Sequence, residues 1–242
     1  METTELYPHI FTRKSTRAFD MTPLSAETLD RIETFIKGVK PLLPGSEITH
    51  KIAGPGEVKG IGIAKAPHYF LISGKEQQLK DACAGFLYQY AELYLHAGGL
   101  SARWLAGAKG KQPDPDWIIG IAFGKPAEEP CTRTLAEFKR KSLGEISRGE
   151  DPRIEAARLA PSGMNGQPWY YIADHGALHT YYKKSLGGLA GGLYHLTELD
   201  AGIALCHIAV ASEHEGIPVG FSADKKDAPE PPKGFTYIGT VE

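Results

Sequence analysis

Arg13, Lys14, Ser15 and Arg17 place three cations and a hydroxyl within five consecutive positions near the start of the chain. Guanidinium forks pair with phosphate oxygens and a hydroxyl adds another donor, so the group suits a phosphate monoester. The same charge run also suits a solvated basic turn. A second segment, Ala160-Pro161-Ser162-Gly163-Met164-Asn165-Gly166-Gln167-Pro168-Trp169, packs Ser, Asn and Gln between two prolines ahead of a large aromatic. Short polar side chains and free amides on a proline-stiffened loop can line the hydrogen-bonding edge of a heteroaromatic ring. Ser162 and Asn165 serve equally well as ordinary turn and cap residues. Other arrays carry less. The glycines from Gly187 to Gly192 follow no clear strand and lack G-x-G-x-x-G spacing, so they read as a lead-in to a helix. His195, His207 and His214 form no i,i+4 pair and read as packing or surface residues, without metal-ligand spacing.

The elements that position these residues occur in duplicate. Phe11-Thr12-Arg13-Lys14-Ser15 recurs as Phe138-Lys139-Arg140-Lys141-Ser142, and Pro67-His68-Tyr69-Phe70 is echoed by Pro168-Trp169-Tyr170-Tyr171, each a proline leading into a strand-forming aromatic run. A short helix is expected from about Ser25 to Val39. Apolar residues recurring every three or four positions predict a long helix from about Gln77 to Leu105, with Trp104 on its stripe, and a second from about Leu189 to Glu213. Short strands at Trp117–Ile121 and Phe235–Gly239 follow, so the order helix, strand, long helix, strand is expected twice. The halves differ between helix and strand: the first carries a Gly/Pro-punctuated insertion, Pro41 to Ala66, where the second has only Ala160 to Gln167. Lys109–Asp116 and Ala223–Gly234 read as loops or lids.

The segments F-x-R-K-S-T-R-x-F and A-P-S-x-x-N-x-Q-P-W together resemble the two signature segments of the FMN-dependent nitroreductase family. The long helices and the stretch Gly120 to Pro126 extend that resemblance over most of the chain. It implies an α+β, nitroreductase-like fold. Members are usually intertwined homodimers in which the R-x-S segment of one subunit and the P-S-x-x-N segment of the other meet on one FMN. Here the only intact P-S-x-x-N comes after the second F-x-R-K-S, which implies a single-chain pseudo-dimer around central long helices, with halves 1–136 and 137–242, one flavin site and no need of a second chain. Carried over, Arg13, Lys14 and Ser15 are expected at the FMN phosphate and ribityl end, with Arg133 as a further phosphate ligand. Arg17 is expected beside the N1/C2 edge, where reduced flavin is anionic and a cation stabilises it. Pro161, Ser162 and Gly163 are expected against the ring, Asn165 and Gln167 at its pyrimidine edge, and Ala106 and Gly107 near N5. Arg140 is expected in an opposite cleft with Pro41–Ala66, away from FMN.

The implied activity is hydride transfer from NAD(P)H through FMN to a small planar acceptor such as a nitro compound or quinone. The cofactor carries the chemistry and no side chain is assigned as a catalytic acid or base. The alternative is a non-catalytic flavin-binding or sensor protein built on the same fold. Composition fits either. The 242 residues, 42% hydrophobic, can bury a sizeable core, and a formal charge of −2 from interleaved acids and bases argues against a nucleic-acid partner. Cys83, Cys131 and Cys206 form no CxxC pair, which suits a reducing cytoplasm. The N-terminal METTELYPHIF does not read as a signal peptide, and no apolar stretch is long enough to span a membrane.

Overall fold

A computed structural model describes residues 3–128, 131–184, 196–224 and 228–242. The Gly187–Gly192 stretch, His195 and the expected helix start at Leu189 lie outside them. A single α-turn, α1 (Tyr7–Ile10), precedes α2 (Ala26–Gly38), which starts within one residue of expectation because Ser25 caps it, its Oγ accepting from Thr28 N at 3.2 Å. The remaining helices are α3 (Lys80–Ala97), α4 (Leu143–Ile146), α5 (Arg153–Arg158) and α6 (Leu196–His214).

The strands form two main sheets. The first comprises β1 (Ile48–Ala53), β3 (His68–Gly74), β4 (Ser101–Leu105) and β6 (Trp117–Gly124), in the antiparallel order β1-β3-β6-β4. Its central strands β3 and β6 are buried on both faces, as their nearly unbroken apolar runs require, whereas the edge strand β1 alternates half-buried and exposed residues. β2 (Val58–Lys59) and β5 (Lys109–Gly110) pair in a small ribbon. The second sheet has the order β10 (Phe221–Ser222), β11 (Phe235–Val241), β9 (Ala177–Lys183), β8 (Trp169–Asp174) and β7 (Ser147–Arg148), antiparallel except where β7 joins β8.

Three expectations need correction. The first long helix ends at Ala97, not Leu105: Gly99 adopts φ 72°, Leu100 N bonds back to Leu95 O at 2.8 Å, and the chain leaves as β4, carrying Trp104 on a strand. The insertion Pro41–Ala66 is not simply a loop, because it supplies β1 and β2. In the second half a hairpin, β8–β9, replaces the expected single strand.

Between the sheets α3 and α6 pack against each other, and most residues of each are buried on every side. A helix buried all round loses the one-sided stripe that marks a surface helix. Their contact is made through backbone. A Cβ on Gly85 would lie 2.2 Å from Leu199 O, and one on Gly202 would lie 2.0 Å from Ala82 O. One buried polar link reinforces the pair. Burial pushes the His207 imidazole down to about 3, so it is neutral; Nδ1–H donates to Ala156 O at 2.9 Å and Nε2 accepts from Gln89 Nε2 at 3.1 Å. Among the described residues no helix is long and apolar enough to cross a membrane.

Gly202→Ala forces a methyl into the Ala82 carbonyl, a backbone obstacle that no rotamer change removes. We expect a loss of about 3 kcal/mol in urea-unfolding stability. Gly144→Ala, whose added Cβ meets open space, should stay within about 0.5 kcal/mol of the parent. Equal midpoints for the two variants would contradict the crossing.

Candidate functional site

Residues 13–17 do not enter a helix. They run extended after α1, bridged to the segment that follows β6 by Arg13 pairing with Thr132 and Phe19 with Pro126. This brings Arg13, Ser15 and Arg17 to a cavity of about 790 Å³. Arg103, Trp104 and Ala106, at the end of β4, form another wall, and Arg133, Phe138, Lys139 and Arg140 a third. The loop Pro161–Asn165 closes one side, and Leu196, Leu199, Asp200 and Ile203, one face of α6, form the floor. The sequence-predicted residues Arg13, Ser15, Arg17, Ala106, Arg133, Pro161, Ser162, Gly163 and Asn165 thus share one cavity. Lys14, Gly107 and Gln167 do not line it; Lys14 and Gly107 are exposed and Gln167 is buried within the loop.

A larger cavity, about 890 Å³, is lined by β1, β3 and the Gly110–Trp117 segment. None of the expected residues lies there. Two of its lysines are already paired, Lys51 with Glu57 at 2.6 Å and Lys75 with Glu47 at 3.2 Å. The smaller cavity is the one whose charges ask for a ligand.

Arg13 is only 2% exposed, with Nε 3.4 Å from Glu92 Oε1, yet its Nε and Nη1 make no hydrogen bond among the described residues. Glu92 Oε2 accepts instead from Trp104 Nε1 at 3.4 Å. Arg133 Nε donates to Arg13 O at 2.8 Å, and its guanidinium lies 3.6 Å over the Phe138 ring. Arg140 sits 5.5 Å from the same ring, donating from Nη1 to Phe138 O at 2.9 Å and to Asn165 Oδ1, and from Nη2 to Leu159 O at 3.1 Å; its Nε has no partner among the described residues. Burial first, and the charge of Arg13 next, pull Arg133 down to about 10 and Arg140 to about 9. Three guanidiniums therefore crowd one partly buried region, with Glu92 and the exposed Glu137 as the carboxylates acting on them.

Arg140 is the main correction to the expected asymmetry. It lines the same cavity as Arg13, because the second F-x-R-K-S segment lies along the P-S-x-x-N loop downstream of it. That loop is strained: Met164, Asn165 and Gln167 adopt φ of 50°, 58° and 50°. Its hydrogen bonds over-determine it. Ser162 Oγ accepts from Gln167 N at 2.9 Å, Gln167 Oε1 from Lys141 N at 2.8 Å, and Asn165 Nδ2 donates to Lys139 O at 3.0 Å. Gln167 is thus a brace inside the loop, and Met164, 97% exposed, projects at the cavity wall.

Asp200 escaped the sequence reading, although an acid on the apolar stripe Leu196, Leu199, Ile203 was the available signal. Its carboxylate, 5% exposed, accepts from Gly163 N at 3.0 and 3.1 Å, and burial pushes it up to about 7. Arg103 and Trp104 were hidden by the misread helix end.

The family model described as "Putative TM nitroreductase" matches residues 5–212. Among solved structures the chain is similar to one described as a putative nitroreductase from Thermotoga maritima MSB8, with 22% identity and a TM-score of 0.67, covering 100% of this chain and 93% of that one. It is also similar to a nitroreductase family protein from Clostridium difficile 630, with 17% identity and a TM-score of 0.46, covering 60% of this chain and 96% of that one. No curated protein matches. The first likeness supports a nitroreductase-like α+β fold over the whole chain.

Asp200 gives a pH test. An unfolded aspartate ionises near 3.8, the folded one near 7, so between those values the native state holds a proton that the unfolded state has lost. Stability from this group is therefore full below about pH 4, falls as pH rises to about 7 and is flat above. Asp200→Asn removes that dependence. The variant should gain on the parent between pH 4.5 and 8, by a few kcal/mol at most, read as the difference in chemical-denaturation stability. A difference that stays constant with pH would refute the raised titration.

Proposed function

The chain belongs to the nitroreductase family whose model it matches over residues 5–212, and from that premise we propose that it is an FMN-dependent oxidoreductase passing a hydride from NAD(P)H to a small planar acceptor. The observation that carries the proposal is the cluster of Arg13, Arg133 and Arg140, whose buried Arg13 Nε and Nη1 and Arg140 Nε lack hydrogen-bond partners among the described residues. Buried donors left unpaired are costly, and like charges so close are costlier, so the arrangement suits a dianionic phosphate monoester. Ser15 would add a hydroxyl to the same group.

The rest of the cavity fits a flat ring system. Leu196, Leu199 and Ile203 offer an apolar floor, and the Pro161–Gly163 backbone a stiff edge. Arg17 would sit beside the N1/C2 edge, and Ala106 beside N5. Gln167 would act through the loop, since its side chain is engaged with Lys141 N and Asn165 O. When bound, FMN would supply two-electron chemistry; the protein would bind, orient and shield it. A site for a terminal phosphate monoester favours FMN, which ends in one, over FAD.

We further propose that residues 1–136 and 137–242 are two fused nitroreductase-like halves, forming one intertwined unit with one flavin per chain. All strands of the first sheet precede residue 136 and all of the second come after 137, while α3 and α6 stand in matching places. The free cysteines are compatible with a cytoplasmic setting.

The purified protein should be yellow and release FMN on denaturation, one per chain. Arg13→Ala and Arg140→Ala should each weaken FMN by roughly 10- to 100-fold in fluorescence titration of apoprotein, corresponding to charge-assisted contacts of about 1.5–3 kcal/mol. Arg148→Ala, an exposed cation on β7, should leave affinity unchanged. FAD as the released flavin, or equal affinities for all three variants, would defeat the proposal. Flavin retained without NAD(P)H oxidation would favour a flavin-binding or sensor protein instead.

A further inference from the structure

Asp200 stands out on the cavity floor. Five α6 residues line the cavity: Leu196, Leu199 and Ile203 are apolar, Thr197 carries a hydroxyl, and Asp200 is buried among them. Among its described partners there is no cation; Gly163 N alone donates to it, from the loop across the cavity. A carboxyl kept from water, without an ion pair, charges at a cost that depends on whatever next occupies the space beside it.

We infer that Asp200 is the proton reservoir of this site, taking up a proton when negative charge builds in the cavity and yielding it when that charge leaves. The inference rests on the proposed flavin function. Reduction brings in two electrons, and one proton accompanies them as hydride, leaving a net negative charge in the cavity. A second anion in a poorly hydrated space raises the proton affinity of the first. The carboxylate of Asp200 then binds one solvent proton. When an acceptor receives the hydride, the negative charge departs and Asp200 releases its proton, so that hydride plus proton complete the two-electron reduction of the acceptor.

The surroundings decide whether this group can respond. Across the cavity stand the cations Arg13, Arg17, Arg103, Arg133, Lys139 and Arg140 and the acid Glu137, whose carboxylate caps the turn at Thr134 N at 2.7 Å. From α3, packed against α6, come Asp81 and Glu92; on α6 itself are Glu198, which accepts from Tyr182 Oη at 3.2 Å, and neutral His207. Burial pushes Asp81 up to about 6, with Glu198 adding to it. For Asp200 the causes are burial, which raises it to about 7, and the opposing Gly163 amide, so its titration falls where reduction can move it.

The experiment is spectroelectrochemical titration of the flavin-loaded holoprotein from pH 5 to 9, for the parent and for Asp200→Asn, whose side-chain oxygen can still accept from Gly163 N. In the parent the midpoint potential should fall with pH by one more proton per two electrons above pH 7 than below pH 6. In Asp200→Asn that extra proton should be absent at every pH. If the variant does not fold, the bend in the parent's profile near pH 7 decides alone. Flavin-loaded parent with no bend, or a variant with the same bend, overturns this inference and leaves the flavin function standing. Protein that binds no flavin overturns both.

Discussion

Where α3 meets α6 the two helices touch through bare backbone, Gly85 against Leu199 O and Gly202 against Ala82 O. Side chains normally hold packed helices apart, and removing them at one point fixes both distance and register. The register then propagates along each helix. On α3, Gly85, Gln89 and Glu92 follow one stripe at i, i+4 and i+7, so the crossing that places Gly85 also aims Gln89 at His207 and Glu92 at Arg13. On α6 the Leu199 carbonyl that meets Gly85 belongs to the cavity floor, and Asp200 is its neighbour. The position of the floor relative to the arginines is therefore set by a contact that involves neither.

The arginine cluster and the strained loop are both unfavourable by themselves. Arg13, Arg133 and Arg140 repel one another in a region partly shielded from water, and positive φ at Met164, Asn165 and Gln167 costs conformational energy. They persist because hydrogen bonds to fixed backbone over-determine them. Arg133 is tied to Arg13 O and Arg140 to Phe138 O and Leu159 O, while the loop is tied to Lys139, Lys141 and Asp200. Unfavourable groups gathered at one place and held by the rest of the fold are a mark of a binding site.

What the sequence made legible was local. The R-K-S and P-S-x-x-N residues could be picked out by type, and α2 by its Ser25 cap. The end of α3 was not legible, because Leu100 and Trp104 continue the apolar period of three or four beyond Gly98 and Gly99; the positive φ of Gly99 outweighs that pattern, and with it went Arg103 and Trp104. Asp200 was visible as an acid on an apolar stripe, but its meaning depends on Gly163, 37 residues away. Gln167 was read by its type as a ring contact; only its partners mark it as a brace.

The place of Arg140 turns on a difference between the two copies of F-x-R-K-S. Identical residues reach different states because the chain downstream of each copy takes a different course. After Ser142 the chain makes two short helices and returns as the Ala160–Gln167 loop; Leu159 O ahead of it and the Asn165 side chain accept from the Arg140 Nη atoms, and Gln167 O accepts from Lys141 Nζ. After Ser15 the corresponding interval is drawn away into the first sheet, where Ile48–Ala53 pairs along β3 as an edge strand. No loop comes back over Arg13 from that interval. Its guanidinium is buried beside Glu92, with Nε and Nη1 still without hydrogen bonds among the described residues. Recruiting one intervening segment into a sheet thus leaves Arg13 with two donors to offer a ligand, whereas Arg140, partly clamped by its loop, keeps only Nε unpaired among the described residues.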